Sequence, residues 1–289
     1  MFQGLDQMSY MLPTAVILLM VSIGMSLKLR ELASSLRGLR WWAWVRMVIA
    51  TFLLPPLIAL VLARVFRLTR GELAGMFMVG ATPGAPLLTR NLARKGFDMH
   101  LAASYQIWAA MMVPVMIPIV VAAAGKVYNQ EIWIPPVVLL KQIASKQLLP
   151  LGVGMVISWI APKVGERYQV TLNLLGNFLL TMMVGLVLFR MGPTLKEVTP
   201  ILPVVAFLLA AGSISAVWLM GLSDPLVKRT FAVCNANRHV GLALLLSGKY
   251  LHATQALPAI ACYALIAPAV IFVYAMWYRS REELSRMGA

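Results

Sequence analysis

The chain has 289 residues, of which 61% are hydrophobic and 12% are charged, and its formal net charge is +15. A soluble domain of this length needs about twice that charged fraction to cover its surface, so the composition excludes one and predicts a membrane protein. Because the basic residues punctuate long apolar runs, they indicate cytoplasmic loops that face anionic lipid and not a nucleic-acid-binding surface.

Several apolar runs approach the ~20 residues that a helix needs to cross a bilayer, which predicts an all-α, polytopic fold. We expect nine transmembrane helices in one transporter domain that covers residues 1–289. The first apolar run follows a segment without basic residues, so we expect a retained helix and not a signal peptide. In chain order, the predicted spans cover residues 9–27, 41–66, 72–95, 100–125, 134–162, 168–190, 200–222, 225–250 and 254–278.

The distribution of basic residues predicts the orientation of these spans. With the N-terminus outside, fourteen lysines and arginines fall in cytoplasmic segments and seven fall on the opposite face. Because cytoplasmic loops are enriched in Lys and Arg, we expect the N-terminus outside and the C-terminus inside a bacterial inner membrane. The cluster of Arg64, Arg67 and Arg70 runs against this rule.

A short repeat suggests internal symmetry. The segment GMSLK at residues 24–28 closes the first span, and GPTLK at residues 192–196 closes the sixth. Each is followed by a plain span, an interrupted span and a final apolar span, so spans one to four correspond to spans six to nine. An offset of five reverses the orientation, which predicts an inverted repeat whose first half lacks its leading helix.

The third and eighth spans carry the polar interruptions. The third contains ATPGAP at residues 81–86, where two prolines and a glycine disfavour a continuous helix. The eighth contains CNANRH at residues 234–239, with Arg238 at about mid-membrane. Unwound backbone at this depth must face protein or water, so both breaks are expected to lie inside the bundle.

Arg238 is the strongest functional candidate, because a charge at this depth requires a partner or an aqueous cavity. All ten acidic residues fall at span ends or in loops, so no carboxylate is expected beside it. Two interpretations remain open: an arginine locked to backbone carbonyls, or an anion-binding group. The predicted substrate-binding residues are Arg238, His239, Asn237, Asn235, Thr82, Gly84, Thr89, Lys146 and Thr51, the last of which precedes a predicted kink at Pro55 and Pro56.

Other chemistries lack a signal in the sequence. Cys234 and Cys262 lie in apolar runs without paired spacing, which argues against a disulfide framework or a zinc site. There is no Walker loop, metal-ligand spacing or nucleophile–base pair, so we expect neither an enzyme nor a cofactor.

Three segments resemble the bile acid:sodium symporter family. They are ILLMVSIGMSLK at residues 17–28, TPG at residues 82–84 followed by LAR at residues 92–94, and VGL at residues 240–242. The resemblance implies a nine-helix member with two crossing broken helices. It also implies a panel subdomain, at about 9–66 and 134–190, and a core subdomain, at about 72–125 and 200–278, with substrate bound between them.

The departures from the family pattern fall on its sodium sites. By the resemblance, Cys234 replaces a sodium-binding glutamate and Arg238 replaces a glutamine, while Ser104 and Trp108 fall near the hydroxyl ligands of the fourth span. Residues 86–89 offer no Ser-Asn pair. A guanidinium can take over the electrostatic role of a bound cation but cannot be carried down a gradient, so we expect a member that has lost sodium coupling.

The leading hypothesis is therefore a secondary transporter that moves small or amphipathic organic anions by alternating access, without sodium coupling. The alternatives are a sodium-dependent symporter of the same family, a non-transporting membrane receptor that uses the ancestral pocket, and an efflux carrier of the arsenite or auxin type. The expected partners are an organic anion and the lipid bilayer, with no nucleic acid. The oligomeric state is left open.

Overall fold

A computed structural model describes the backbone of residues 5–26, 41–83, 97–127, 135–190, 199–221, 224–250 and 256–287, and all secondary structure in these ranges is helical. The helices are α1 (Leu5–Ser26), α2 (Trp41–Val65), α3 (Arg70–Ala81), α4 (Met99–Val127), α5 (136–160), α6 (Pro162–Arg190), α7 (Leu202–Leu219), α8 (Pro225–Ala236), α9 (Val240–Tyr250) and α10 (Ala256–Met287). They fall in the predicted spans, so the all-α polytopic prediction is confirmed.

Four of the described helices are long and apolar enough to cross a membrane: α2, α4, α7 and α10. The two faces of α4 show how such a helix is solvated. Met111, Val115 and Ile119 are 59%, 55% and 56% exposed, whereas Val113 and Ile117 are buried. Since a spacing of four residues follows one helix face, α4 presents an apolar stripe outward, as contact with lipid requires.

Two helices contain a π turn immediately before a proline. In α2 the π turn covers Ile49–Leu53 and precedes Pro55 and Pro56. In α5 it covers Ala144–Leu148 and precedes Pro150. A proline has no amide proton for the helical ladder, and the wider π turn accommodates this gap without ending the helix. The kink predicted at Pro55 and Pro56 is therefore a π turn.

Helices α1, α5 and α6 pack closely on one another at glycines. A Cβ atom at Gly24 would collide with the α5 backbone, one at Gly154 would collide with the α1 backbone, and one at Gly176 would press on Leu19 of α1. Small residues let membrane helices approach backbone to backbone. The conspicuous Gly24 of the repeat segment is thus a helix-packing residue.

Helix α2 packs mainly with α3 and α7. Gly80 of α3 lies against the backbone of Pro55, and Gly212 of α7 lies against Ile58. Buried residues of α2, including Phe52, join one apolar core with α3, α4, α7, α8, α9 and α10, to which α5 adds Ile143. The panel and core division implied by the resemblance, with the second span in the panel, stays a prediction.

Candidate functional site

The polar interruption of the eighth span is a short non-helical segment between α8 and α9. Asp224 caps α8 by accepting hydrogen bonds from the amides of Leu226 and Val227. The helix ends at Ala236, and α9 begins at Val240. In between, the amide of His239 donates to the carbonyl of Thr82 at 2.8 Å, just beyond the end of α3. The end of α3 therefore meets the interruption of the eighth span, and the crossing of two broken helices stays a prediction, because residues 84–96 lie outside the described part of the chain.

The π turn of α2 leaves two backbone carbonyls, those of Ala50 and Thr51, without a helical donor. The amide of Leu54 bonds to the Ile49 carbonyl, five residues back, and so does not serve Ala50. Pro55 and Pro56 have no amide proton, so no helical donor is left for the Thr51 carbonyl in either α or π register, nor for the Ala50 carbonyl in π register. Buried carbonyls need partners, and side chains of the interrupted span supply them.

Arg238 is buried and donates a hydrogen bond to one of these two carbonyls. It is 2% exposed, its Nη1 donates to the Thr51 carbonyl at 2.9 Å, and its Nη2 donates to Asn235 Oδ1 at 3.1 Å. Its Nε atom is buried without a hydrogen-bond partner. Two of its three nitrogens are thus held by protein oxygens, one a backbone carbonyl and the other a side-chain amide oxygen. The positive charge itself has no ion-pair partner among the described residues.

Asn235 is the hub of the site. Its Nδ2 donates to the carbonyls of Ala50 and Ser213 at 3.0 and 2.7 Å, and its Oδ1 also accepts from the Tyr105 hydroxyl at 3.1 Å. Since Tyr105 gives its proton to Asn235, the Thr51 hydroxyl is the donor in its 3.1 Å contact with Tyr105. One buried amide thereby joins α2, α4, α7 and α8, with both its donors and its acceptor satisfied.

We call the place where Thr82, at the end of α3, meets the segment between α8 and α9 the crossing. His239 connects the crossing to α5. Its Nδ1 accepts the Leu242 amide at 3.0 Å, and its Nε2 lies 2.9 Å from the side-chain amide of Gln147. Because Nδ1 is an acceptor, the neutral ring carries its proton on Nε2. The Gln147 atom at 2.9 Å is Nε2, which cannot accept that proton, so the hydrogen bond requires the amide to be turned with its oxygen towards the ring. The ring therefore links the crossing to the π turn of α5.

The other predicted site residues are placed as follows. Asn237 and Lys146 are half-buried, and Lys146 lies beside Gln147 on the π turn of α5. Thr82, Thr51, Cys234 and Ser104 are buried. Trp108 packs in an aromatic cluster with Trp44, Phe52 and Tyr105. Gly84 and Thr89 lie outside the described residues.

Residues that the sequence did not single out complete the network. Tyr105, Gln147 and Ser213 contact the predicted residues directly, and the Tyr263 hydroxyl donates to the Ala236 carbonyl at 2.6 Å, where α8 ends. Tyr105 and Gln147 occur in polar stretches of otherwise apolar spans, which is a usable signal. The Ser213 carbonyl is a backbone group and gives no signal in the sequence.

The described residues of this site do not fit a sodium ion. A sodium site needs several convergent oxygen ligands, commonly including a carboxylate, and no carboxylate occurs among the contacts described above. The guanidinium already bonds the Thr51 carbonyl and Asn235 Oδ1, so these two oxygens are not free to bind a cation. Cys234, at the position of the family's glutamate by the resemblance, offers a buried thiol instead.

Comparison with known proteins places the chain in a family. The model of the sodium bile acid symporter family matches residues 13–198, which is well over half of the chain. The matched range includes Thr51, Thr82 and Tyr105 and ends before Asn235 and Arg238. No match was found among curated proteins. The chain belongs to the sodium bile acid symporter family, and it is a multi-pass membrane transporter.

Proposed function

We propose that the protein is a secondary transporter of small or amphipathic organic anions that works by alternating access without sodium coupling. The observation that carries the proposal is the position of Arg238, whose guanidinium is buried between α2 and α8 and places a fixed positive charge there, bonded to two oxygens. Because this charge is covalently fixed, it can attract an anion but cannot be released with it. We therefore propose that transport draws on no sodium gradient.

Two features add positive potential beside the crossing. The N-terminus of α9 lies at the interruption, where the amides of Val240 and Leu242 donate to the Arg238 carbonyl and to His239, and its partial positive charge favours an anion nearby. Among the described members of the predicted set, Lys146 and Asn237 are the half-buried polar side chains. We assign direct anion contact to them and a long-range electrostatic role to Arg238. Gly84 and Thr89 remain predicted contributors.

The two packing groups suggest the moving parts. We propose that α1, α5 and α6 form the panel and that the remaining helices, including α2, form the core. The hydrogen bond between His239 and Gln147 crosses this boundary at the level of the interruptions. Since α5 and the crossing must separate for a substrate to enter between them, we propose that this bond breaks and re-forms in each transport cycle.

Basic and aromatic side chains cluster at one end of the helix bundle, and this cluster supports the proposed orientation in a bacterial inner membrane. Arg46 of α2 donates to the Gly221 carbonyl at the end of α7, Lys228 lies over the Trp218 ring, and Arg229 lies over the Tyr278 ring. Lys and Arg are enriched on the cytoplasmic side, whereas Trp and Tyr mark a membrane–water interface on either side. We therefore propose that this end faces the cytoplasm, with the N-terminus outside.

The test is a thermal-shift screen of the purified protein with bile salts and small organic acids, in sodium chloride and in choline chloride. We expect an anion that raises the melting temperature equally in both salts. The matched variant Arg238→Lys keeps the charge but loses the planar, two-pronged contact, whereas Arg238→Gln loses both. We expect Arg238→Gln to abolish the anion effect and Arg238→Lys to retain part of it.

Uptake into proteoliposomes separates the rival functions. We expect uptake of the stabilising anion to persist when potassium or choline replaces sodium. A collapse of uptake without sodium would favour the sodium-dependent symporter. Binding without any uptake, in either direction, would favour a receptor.

A further inference from the structure

A second buried amide lies outside the network of Arg238 and Asn235. Gln106 of α4 is 6% exposed and adjoins the apolar cluster of Val16, Met20, Ile23, Ala103 and Leu151. These residues come from α1, α4 and α5, so the cluster lies across the boundary between the proposed panel and core. Gln106 is a primary amide in an otherwise apolar contact.

The hydrogen-bonding capacity of Gln106 is almost unused. Its Nε2 donates only to the Met20 sulfur, at 3.5 Å, and its Oε1 is buried without a partner. A thioether is a weak acceptor, and an unpaired amide oxygen is unfavourable in an apolar interior. The other buried amides, Asn235 and Gln147, both have partners at 3.1 Å or less. Packing therefore does not account for this glutamine.

Gln106 lies at the depth of the proposed substrate site. Ala103 and Leu151 share one apolar cluster, and α4 and α5 are consecutive spans that run in opposite directions. Gln106 lies about one turn after Ala103 in α4, and Gln147 lies about one turn before Leu151 in α5. Because the two helices run in opposite directions, both glutamines lie on the same side of the cluster and at about the same level. Gln147 contacts His239 at the crossing. The unpaired oxygen thus lies near the crossing, on the boundary that must open.

We infer that Gln106 is a specificity-determining residue whose Oε1 accepts a hydrogen bond from the substrate. This inference rests on the proposed function and narrows its substrate class to organic carboxylates that also carry a hydroxyl or amide N–H group. The carboxylate lies towards the positive crossing, and the donor reaches Gln106. In the closed arrangement described here, Met20 and the apolar cluster cover the amide, and separation of α1 from α4 exposes it.

The experiment measures binding of matched acids that differ by one hydroxyl group. The pairs are lithocholate against cholanoate and hydroxyhexanoates, with the hydroxyl at carbon 2 or carbon 6, against hexanoate. Detergent-solubilised wild type, Gln106→Leu and Gln106→Met are compared by thermal shift and by titration calorimetry. Because a hydrogen bond to an otherwise unpaired buried group changes affinity by about tenfold or more, wild type should prefer the hydroxylated member of at least one pair by that factor.

Gln106→Leu and Gln106→Met should lose this preference while they retain the affinity for the hydroxyl-free acid. Both variants should fold, because they replace a poorly satisfied polar group by an apolar one of similar size. The control is Gln169→Leu, which removes an amide that accepts from Ser26 between α6 and α1, away from the crossing. This variant should keep the preference of wild type.

Each other outcome has a defined meaning. If acids bind but wild type does not distinguish the members of any pair, the inference about Gln106 is overturned and the proposed function stands. The same holds if the Gln106 variants keep the preference. If no anion binds to wild type, the proposed function fails and this inference fails with it.

Discussion

Replacement of Asn235 by alanine tests the network that holds the crossing together. The side chain is fully buried and makes four hydrogen bonds, to the carbonyls of Ala50 and Ser213 and from Tyr105 and Arg238. Asn235→Ala removes all four bonds at once. It leaves two backbone carbonyls and one nitrogen of a buried guanidinium without their partners.

The expected loss can be bounded from these contacts. Interhelical hydrogen bonds inside a membrane protein are worth about 0.6 kcal/mol on average, so four of them contribute about 2.4 kcal/mol. An unpartnered buried charged group adds about 1–3 kcal/mol. We therefore expect Asn235→Ala to lower the free energy of unfolding by about 3–5 kcal/mol. For a chain of this size, that loss corresponds to a decrease of about 10 °C in the melting temperature.

The assay is the apparent melting temperature in detergent, measured by fluorescence of the purified protein at a fixed heating rate. Asn177→Ala is the matched control, since Asn177 also lies in a membrane helix but is half-buried and bonds only to Asn173 of its own helix. We expect the control to lose less than about 1 kcal/mol, or about 3 °C.

Equal melting temperatures for Asn235→Ala and Asn177→Ala would refute the hub role of Asn235. Asn235→Asp separates hydrogen bonding from charge. A carboxylate would pair with Arg238 but could not donate to the carbonyls of Ala50 and Ser213, so we expect this variant to be destabilised as well. A melting temperature above that of wild type would show that the missing counter-ion, and not the missing donor, dominates the site.

Three further predictions concern other contacts. Gly154→Ala should lower the free energy of unfolding by about 1–3 kcal/mol, because its Cβ would collide with the α1 backbone. The control Gly152→Ala, which has open space around it, should be neutral or slightly stabilising. Equal melting temperatures for the two variants would contradict this prediction. Tyr105→Phe should lower the free energy of unfolding by about 1–2 kcal/mol, because it removes the contacts with Thr51 and Asn235. An unchanged melting temperature would show that Tyr105 does not support the network. Glu72→Ala should loosen the start of α3 from the segment before α7, because the carboxylate accepts hydrogen bonds from the Thr199 amide and hydroxyl at 2.7 and 2.8 Å. We expect faster proteolysis near residue 199 in this variant, and an unchanged rate of cleavage would contradict the prediction.

Local properties of the sequence predicted the class of fold and the places where it is interrupted. The lengths of the apolar runs predicted the helices, and CNANRH predicted the break between α8 and α9. Both are local signals, because a bilayer requires a certain length of apolar helix and a proline or polar segment disturbs the ladder where it stands. The position of Gly84 and Thr89 remains a prediction.

The grouping of helices could not be predicted in this way. The sequence of α2 gives no sign that it packs with α3 and α7, because that contact depends on Gly80 and Gly212, which occur in other helices. Gln106 stands in the same polar stretch as Tyr105, but the sequence does not show which of its atoms lack partners. It becomes informative only when its neighbours are seen to be apolar.

The sequence by itself predicted a charge at mid-membrane in Arg238 and determined that no acidic residue lies inside the same span to neutralise it. Only the tertiary structure decided what holds that charge. The Thr51 carbonyl is 187 residues away along the chain, and it accepts from Arg238 because Pro55 and Pro56 withhold the helical donors. The span of α8 carries a guanidinium without a carboxylate partner, and α2 carries a carbonyl without a helical donor. Packing brings these two groups together, so that the guanidinium donates and the carbonyl accepts.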